Sequence, residues 1–228
     1  MRLLETKKID EKRHNKVTFI RIEPLNIQNT LENIVERLSD LSWISKFDEE
    51  YIRESFLARA TPTVQAITQK LQQSSHDEVS SDAGEYIVSE LSRSAIGLQM
   101  NYNSIPLTEL FSKQVSGNPG FDFHLENDCR TLLFGEAKYL SDRNAYGVGL
   151  KQIVDFLSDK KDIKDIADLD LFFCKETLQN AIHGQKGFAV GFAAKTTATE
   201  TLISNIQDNA DYQSLLQYHE LVLVAVNL

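Results

Sequence analysis

The sequence predicts an α/β (α+β) fold with a mixed central sheet flanked by helices and a helical N-terminal part, and three patterns carry that expectation. From Thr30 to about Leu71, apolar residues recur at helical spacing. Residues 121–139 alternate in period two around an Asn127-Asp128 turn, the pattern of a β-hairpin. Beyond it, helical stretches alternate with short apolar runs at 168–174, 187–194 and 220–226, which read as further strands.

Residues 1–16 are charged and read as a frayed or edge segment, and 17–22 as a short strand stopped by Glu23-Pro24. Two or three helices follow, with a break expected near Thr61-Pro62-Thr63, because proline removes an amide donor from a helix. The polar run 72–77 reads as a loop and as the boundary between a region 1–75 and a domain 76–228. Ser81-Asp82 can cap a helix that carries Glu85 and Glu90. Ser141-Asp142 opens another, with Leu150, Ile153, Val154 and Leu157 turned to a core, and a helix is expected at about 196–205.

Composition limits what the chain does. At 228 residues it can bury a core without staples, and Cys129 and Cys174 show no metal-ligand or disulfide spacing. No apolar run reaches the ~18 residues of a membrane span, so the expectation is a soluble, cytoplasmic protein with no membrane partner. The net charge of −9 argues against a module that grips nucleic acid by charge alone.

The hairpin carries the chemistry. On the return strand Glu136 and Lys138 share one face, and Phe121 and Phe123, expected to share the other phase of the opposing strand, flank Asp122. Paired across the hairpin, the three place two carboxylates and an ammonium in one cleft. Two hard oxygen ligands suit Mg²⁺, which keeps several waters. A bound metal polarises a phosphate and lowers the pKa of a bound water, while lysine orients or helps deprotonate that water, or steadies developing charge. His124 reads as a hydrogen-bonded structural histidine, and the run 159–170 as a solvated face. Tyr139, Arg143 and Lys151 are candidates for touching a nucleic-acid backbone.

Asp122 followed thirteen residues later by Glu136-Ala137-Lys138 resembles the acidic, (D/E)xK core of the PD-(D/E)xK, restriction-endonuclease-like nucleases. The resemblance covers about residues 80–195. It implies roles for Glu85 as an additional metal-binding acid, with Glu90 its competitor on the same helix, and for Gln152 as a functional glutamine. Here Pro119 lies three residues before Asp122 rather than beside it. More narrowly, Gly120-Phe-Asp-Phe, Gly135-Glu-Ala-Lys-Tyr139 and Leu-Thr-Glu109-Leu are similar to the nuclease-subunit family of Hachiman anti-phage defence systems. That similarity implies a Mg²⁺-dependent deoxyribonuclease, with Mn²⁺ as a substitute, that acts on DNA beside a helicase (ATPase) partner. Two other readings stay open: a nuclease-fold interaction subunit that no longer cuts, and a hydrolase acting on RNA.

Overall fold

The computed structural model describes residues 1–10, 16–73, 80–112 and 120–228. The expected loop at 74–77, the boundary at 75/76 and the turn residues 116–119 lie outside the described residues; Gln72 and Gln73 end a helix. Seven strands form one mixed sheet in the order β1-β2-β7-β6-β5-β4-β3. They are β1 (Arg2–Asp10), β2 (Lys16–Glu23), β3 (Asn103–Ser104), β4 (Phe123–Glu126), β5 (Leu132–Lys138), β6 (Lys186–Ala194) and β7 (Glu220–Asn227). The run β2-β7-β6-β5 is parallel, and the flanking pairs β1-β2, β5-β4 and β4-β3 are antiparallel. A strand from the N-terminal part thus lies in the same sheet as the hairpin. The charged first residues form an edge strand, as their composition suggests.

Helices cover both faces. On one side, α1 (Ile27–Ser39), α2 (Glu50–Gln73) and α3 (Ser81–Met100) pack on Ile20, Leu133, Ala189 and Val222. On the other, α5 (Tyr146–Ser158), α7 (Lys175–Ile182), α8 (Thr199–Gln207) and α9 (Ala210–Leu215) cover Phe19, Phe134, Phe188 and Leu223. A 3-10 turn at Ser42–Lys46 joins α1 to α2, and the four-residue α4 (Thr108–Phe111) precedes the hairpin. From α3 through β6 the principal order is helix, three strands, helix, strand, with α4 between the first two strands and α6 (Lys161–Leu169) and α7 before the last.

Several sequence expectations change. Pro62 sits inside α2, which runs unbroken. The carbonyl that loses its donor belongs to Ala58, which like Pro62 lies on the exposed side of the helix; the buried stripe Phe56, Ala60, Thr63, Ile67 and Leu71 continues across. Residues 168–174 are not a strand: Leu169 ends α6, and the amides of Phe172 and Phe173 turn back to its carbonyl at 3.0 and 3.1 Å. Apolar residues at positions three and four apart mark a helical turn, and this one buries Leu169 and Phe173. Helix α3 is capped by Ser80, not Ser81, and α5 starts at Tyr146.

Strand β4 is held to β5 partly by a close approach. A Cβ on Gly135 would lie 2.1 Å from the Phe123 ring, so only a residue without a side chain admits that buried ring. We expect Gly135→Ala to destabilise the chain by about 1–3 kcal/mol through overpacking, read by urea unfolding. Adding Phe123→Leu to it should restore part of the loss; unchanged stability of Gly135→Ala would show that the ring is free to move.

Candidate active site

The hairpin register pairs Phe123 with Gly135 and His124 with Phe134, so the ladder stops before Asp122. Asp122 occupies a bend whose amide donates to the Gly135 carbonyl at 2.8 Å. That bend overturns one expectation: Phe121 and Phe123 point to opposite faces, Phe121 toward Phe134 and Phe156, Phe123 toward the α3 side. The bend leaves the Ala137 amide without a strand partner, and the Asp122 side chain takes its place, Oδ2 accepting from that amide at 2.7 Å. The carboxylate is thereby fixed beside the end of β5.

Glu136 and Lys138 are there as the period-two pattern requires. Lys138 Nζ lies 3.0 Å from Glu136 Oε1 and 3.3 Å from Glu85 Oε1. Glu85 reaches it because its neighbour Gly84 lets α3 lie against Tyr139; a Cβ on Gly84 would come 2.2 Å from that ring. Glu90, five residues on, faces elsewhere. It is fully buried and held by Arg93 Nη2 at 2.8 Å and Nε at 3.0 Å, so Glu85 is the helix acid at this site. Gln152 is half-buried on α5, three residues after Gly149, whose added Cβ would lie 3.7 Å from Lys138 Cγ. Among the described residues, no side-chain hydrogen bond joins Gln152 to the carboxylates.

A cleft of about 200 Å³ opens over Asp122, lined also by Glu85, Glu109, Tyr86 and Lys70. Glu109 accepts from the Tyr86 hydroxyl at 2.7 Å. Sequence reasoning did not assign Glu109, Tyr86 or Lys70 to the site; the Leu-Thr-Glu109-Leu segment was the one available signal, and it carried no phase relation to the hairpin. His124 is structural, as expected. It is fully buried, its Nδ1 lies 3.2 Å from the Thr108 hydroxyl, and burial drives its pKa down to about 3, leaving it neutral. Tyr139 is buried, Lys151 pairs with Asp155 at 2.9 Å, and Arg143 is exposed. The acidic run 159–170 is not wholly solvated: Asp162 is buried and paired with Lys186.

Crowding sets the electrostatics. Burial pushes Asp122 up to about 7; Lys138 and the Ala137 amide oppose the rise, while Glu85 and Glu109 add to it. Glu136 is raised well above the ordinary carboxyl value by burial and then by Asp122. For Lys138 burial works against the ammonium, but Glu136, Glu85 and Asp122 together outweigh it and raise its pKa. Lys138 is therefore a cation at neutral pH, a donor rather than a base. Glu136 Oε2 is buried with no hydrogen-bond partner among the described residues.

Among the described residues no group of three His, Cys, Asp or Glu side chains is gathered tightly enough to hold a metal ion. A cation that needs one or two carboxylates and keeps its waters asks for less, and the unpaired Glu136 oxygen beside Asp122 fits that demand. No protein-family model matches the sequence, and no curated protein is similar to it at a significant level.

The raised carboxyls have a stability consequence. Native Asp122 keeps a proton that the unfolded chain has released, so this contribution is full below about pH 3.8 and is lost as pH rises through about 7. Asp122→Asn, which keeps an acceptor for the Ala137 amide, should raise the melting temperature of the metal-free protein at pH 8 by about 2–4 °C per kcal/mol of repulsion relieved. At pH 5 the gain should be much smaller. Equal effects at both pH values, measured by calorimetry, would refute the assignment.

Proposed function

We propose that this chain is a metal-dependent nuclease that hydrolyses DNA phosphodiester bonds and serves as the effector subunit of an anti-phage defence complex with a helicase partner. The observation that carries this reading is the convergence of Asp122, Glu136, Lys138 and Glu85 at the end of β5, with one buried Glu136 oxygen left unpaired. The mixed sheet flanked by helices that the resemblance to PD-(D/E)xK nucleases implies lends support.

In this reading Asp122 and Glu136 hold Mg²⁺ or Mn²⁺, with Glu85 as an accessory acid. The bound ion supplies a Lewis acid for the phosphate and an acidified water. The Ala137 amide orients Asp122, so the ligand arrives pre-positioned. Lys138, held as an ammonium, donates to the attacking water or to the phosphate oxygens and offsets charge that builds during displacement. Gln152, on the α5 face that meets Lys138, contributes to positioning.

The net charge of −9 adds a further expectation: unaided affinity for DNA is weak, and the helicase partner supplies most of the grip. A second reading has its own observation. Lys138 already bridges Glu136 and Glu85, so the cluster is partly neutralised without a cation, as suits a docking subunit that no longer cuts.

Assays on double-stranded DNA, single-stranded DNA and RNA, with Mg²⁺ or Mn²⁺ and with and without the partner, separate these readings. Glu136→Gln and Lys138→Ala should each reduce DNA cleavage by roughly 100-fold or more while circular dichroism stays native. Chelation should abolish cleavage reversibly. Cleavage that survives the Glu136→Ala, Lys138→Ala double variant would sink the catalytic assignment. Absence of Mn²⁺ binding by calorimetry would favour the docking subunit, and preference for RNA the third class.

In gel-shift titrations the lone subunit should bind duplex DNA no tighter than about 1 μM at physiological salt, and the partner complex far more tightly. A nanomolar, salt-sensitive affinity of the subunit alone would contradict this.

A further inference from the structure

Leu107 walls the carboxylate cleft on one side and lines a second cavity, of about 540 Å³, on the other. That size falls in the range of small-molecule sites. Its lining joins four segments of the chain: Arg37 from α1, Trp43 and Lys46 from the 3-10 turn, Arg93 and Glu90 from α3, and Phe172 from the turn after α6.

Two features mark this cavity as a binding site. The first is aromatic. The Trp43 ring lies 5.8 Å from Phe172 and 5.3 Å from Phe56, and Trp43 and Phe172 both line the cavity. The second is cationic. Glu90 is fully buried and occupied by the Arg93 fork, which fixes that guanidinium in place. Arg37 sits 3.6 Å from Glu90 with its side chain 48% exposed, and Lys46 is exposed at the same rim. In a chain of net charge −9, a concavity that combines aromatic walls with Arg37 and Lys46 at a rim where Asp40 is the exposed acid is a selective combination.

We propose that this cavity binds a nucleoside phosphate, with the base against Trp43 and Phe172 and the phosphate on Arg37 and Lys46. An acidic peptide would satisfy the rim but offers no planar group for the floor. The site does not depend on the nuclease reading. It does adjoin that machinery: Ile105, Leu107 and Leu110 line the cavity, and within the same segment the Thr108 amide donates to the Asp122 carbonyl at 2.9 Å. A ligand that contacts this segment also bears on the bend that holds Asp122.

Trp43 is the sole tryptophan of the chain, so its emission reports on this cavity alone. Titration of the full chain with AMP should change that emission saturably below about 1 mM, with a matching calorimetric isotherm. Adenosine and inorganic phosphate alone should each bind at least about tenfold more weakly. Lys46→Ala and Arg37→Gln should each weaken AMP roughly tenfold with thermal melts still cooperative. Glu136→Gln, in the cleft, should leave AMP binding unchanged, which separates this site from the nuclease centre. No saturable response to AMP in either measurement, or undiminished binding in both rim variants, would overturn the proposal. A hexaglutamate peptide that matches AMP would replace it with a protein-docking face.

Discussion

Every residue of β6 is buried and all but the last of β7, so neither strand has a face or an edge that meets water. Such strands satisfy their backbone groups only by ladders on both sides, and their side chains only by a helical layer on each face. The rest of the architecture answers that demand. The layer of α3 and the layer of α5 and α8 are both obligatory, and their positions fix where β5 ends. The two charged residues at the start of these strands, Lys186 and Glu220, are buried there because each has partners: Asp162 for Lys186, Tyr102 and Asn127 for Glu220.

That pattern sets the candidate site apart. Glu90 is saturated by Arg93, Glu126 by Thr177 and Arg130, and Asp162 by Lys186. Glu136 is the buried acid left with an unpaired oxygen among the described residues. Structural carboxylates in this molecule are neutralised where they stand; the pair at the end of β5 is crowded instead, and the fold holds it there with a backbone amide and one lysine. A cluster that opposes folding persists when something else compensates it: in the metal-free chain that is the proton which burial favours on both carboxyls, and under the proposed function it is a cation.

The legible parts of the sequence were those governed by a local pattern. The hairpin and the placement of Glu136 with Lys138 follow from alternation in steps of two, while the edge segment is marked by its charge and β2 by a short run stopped at Glu23-Pro24. Phe121 misled because a single bend at Asp122 resets that alternation, and no local rule marks it. Pro62 misled because the tolerance of a helix for proline depends on whether the freed carbonyl faces water, a tertiary fact. Glu85 and Glu90 lie five residues apart on α3, about 140° around the helix, so only the packing of Gly84 on Tyr139 decides which one meets Lys138. Residues such as Tyr86 and Glu109 join the cleft through the docking of α3 beside α4, and nothing in a one-dimensional pattern encodes that meeting.

The pairing of β2 with β7 has a kinetic meaning. Val17 finds its partner in Leu221, so the sheet between its edge hairpin and its parallel core stays open until almost the whole sequence is present. Contacts this distant make the search slow, because the loop they close must lose its freedom before the ladder returns anything. During synthesis β2, with Phe19, Ile20 and Ile22 in its middle, has no parallel neighbour to cover it. A nascent chain of this design leaves that apolar strand without its parallel neighbour until residues 220–227 have been made, and the docking that closes the sheet is expected to be slow.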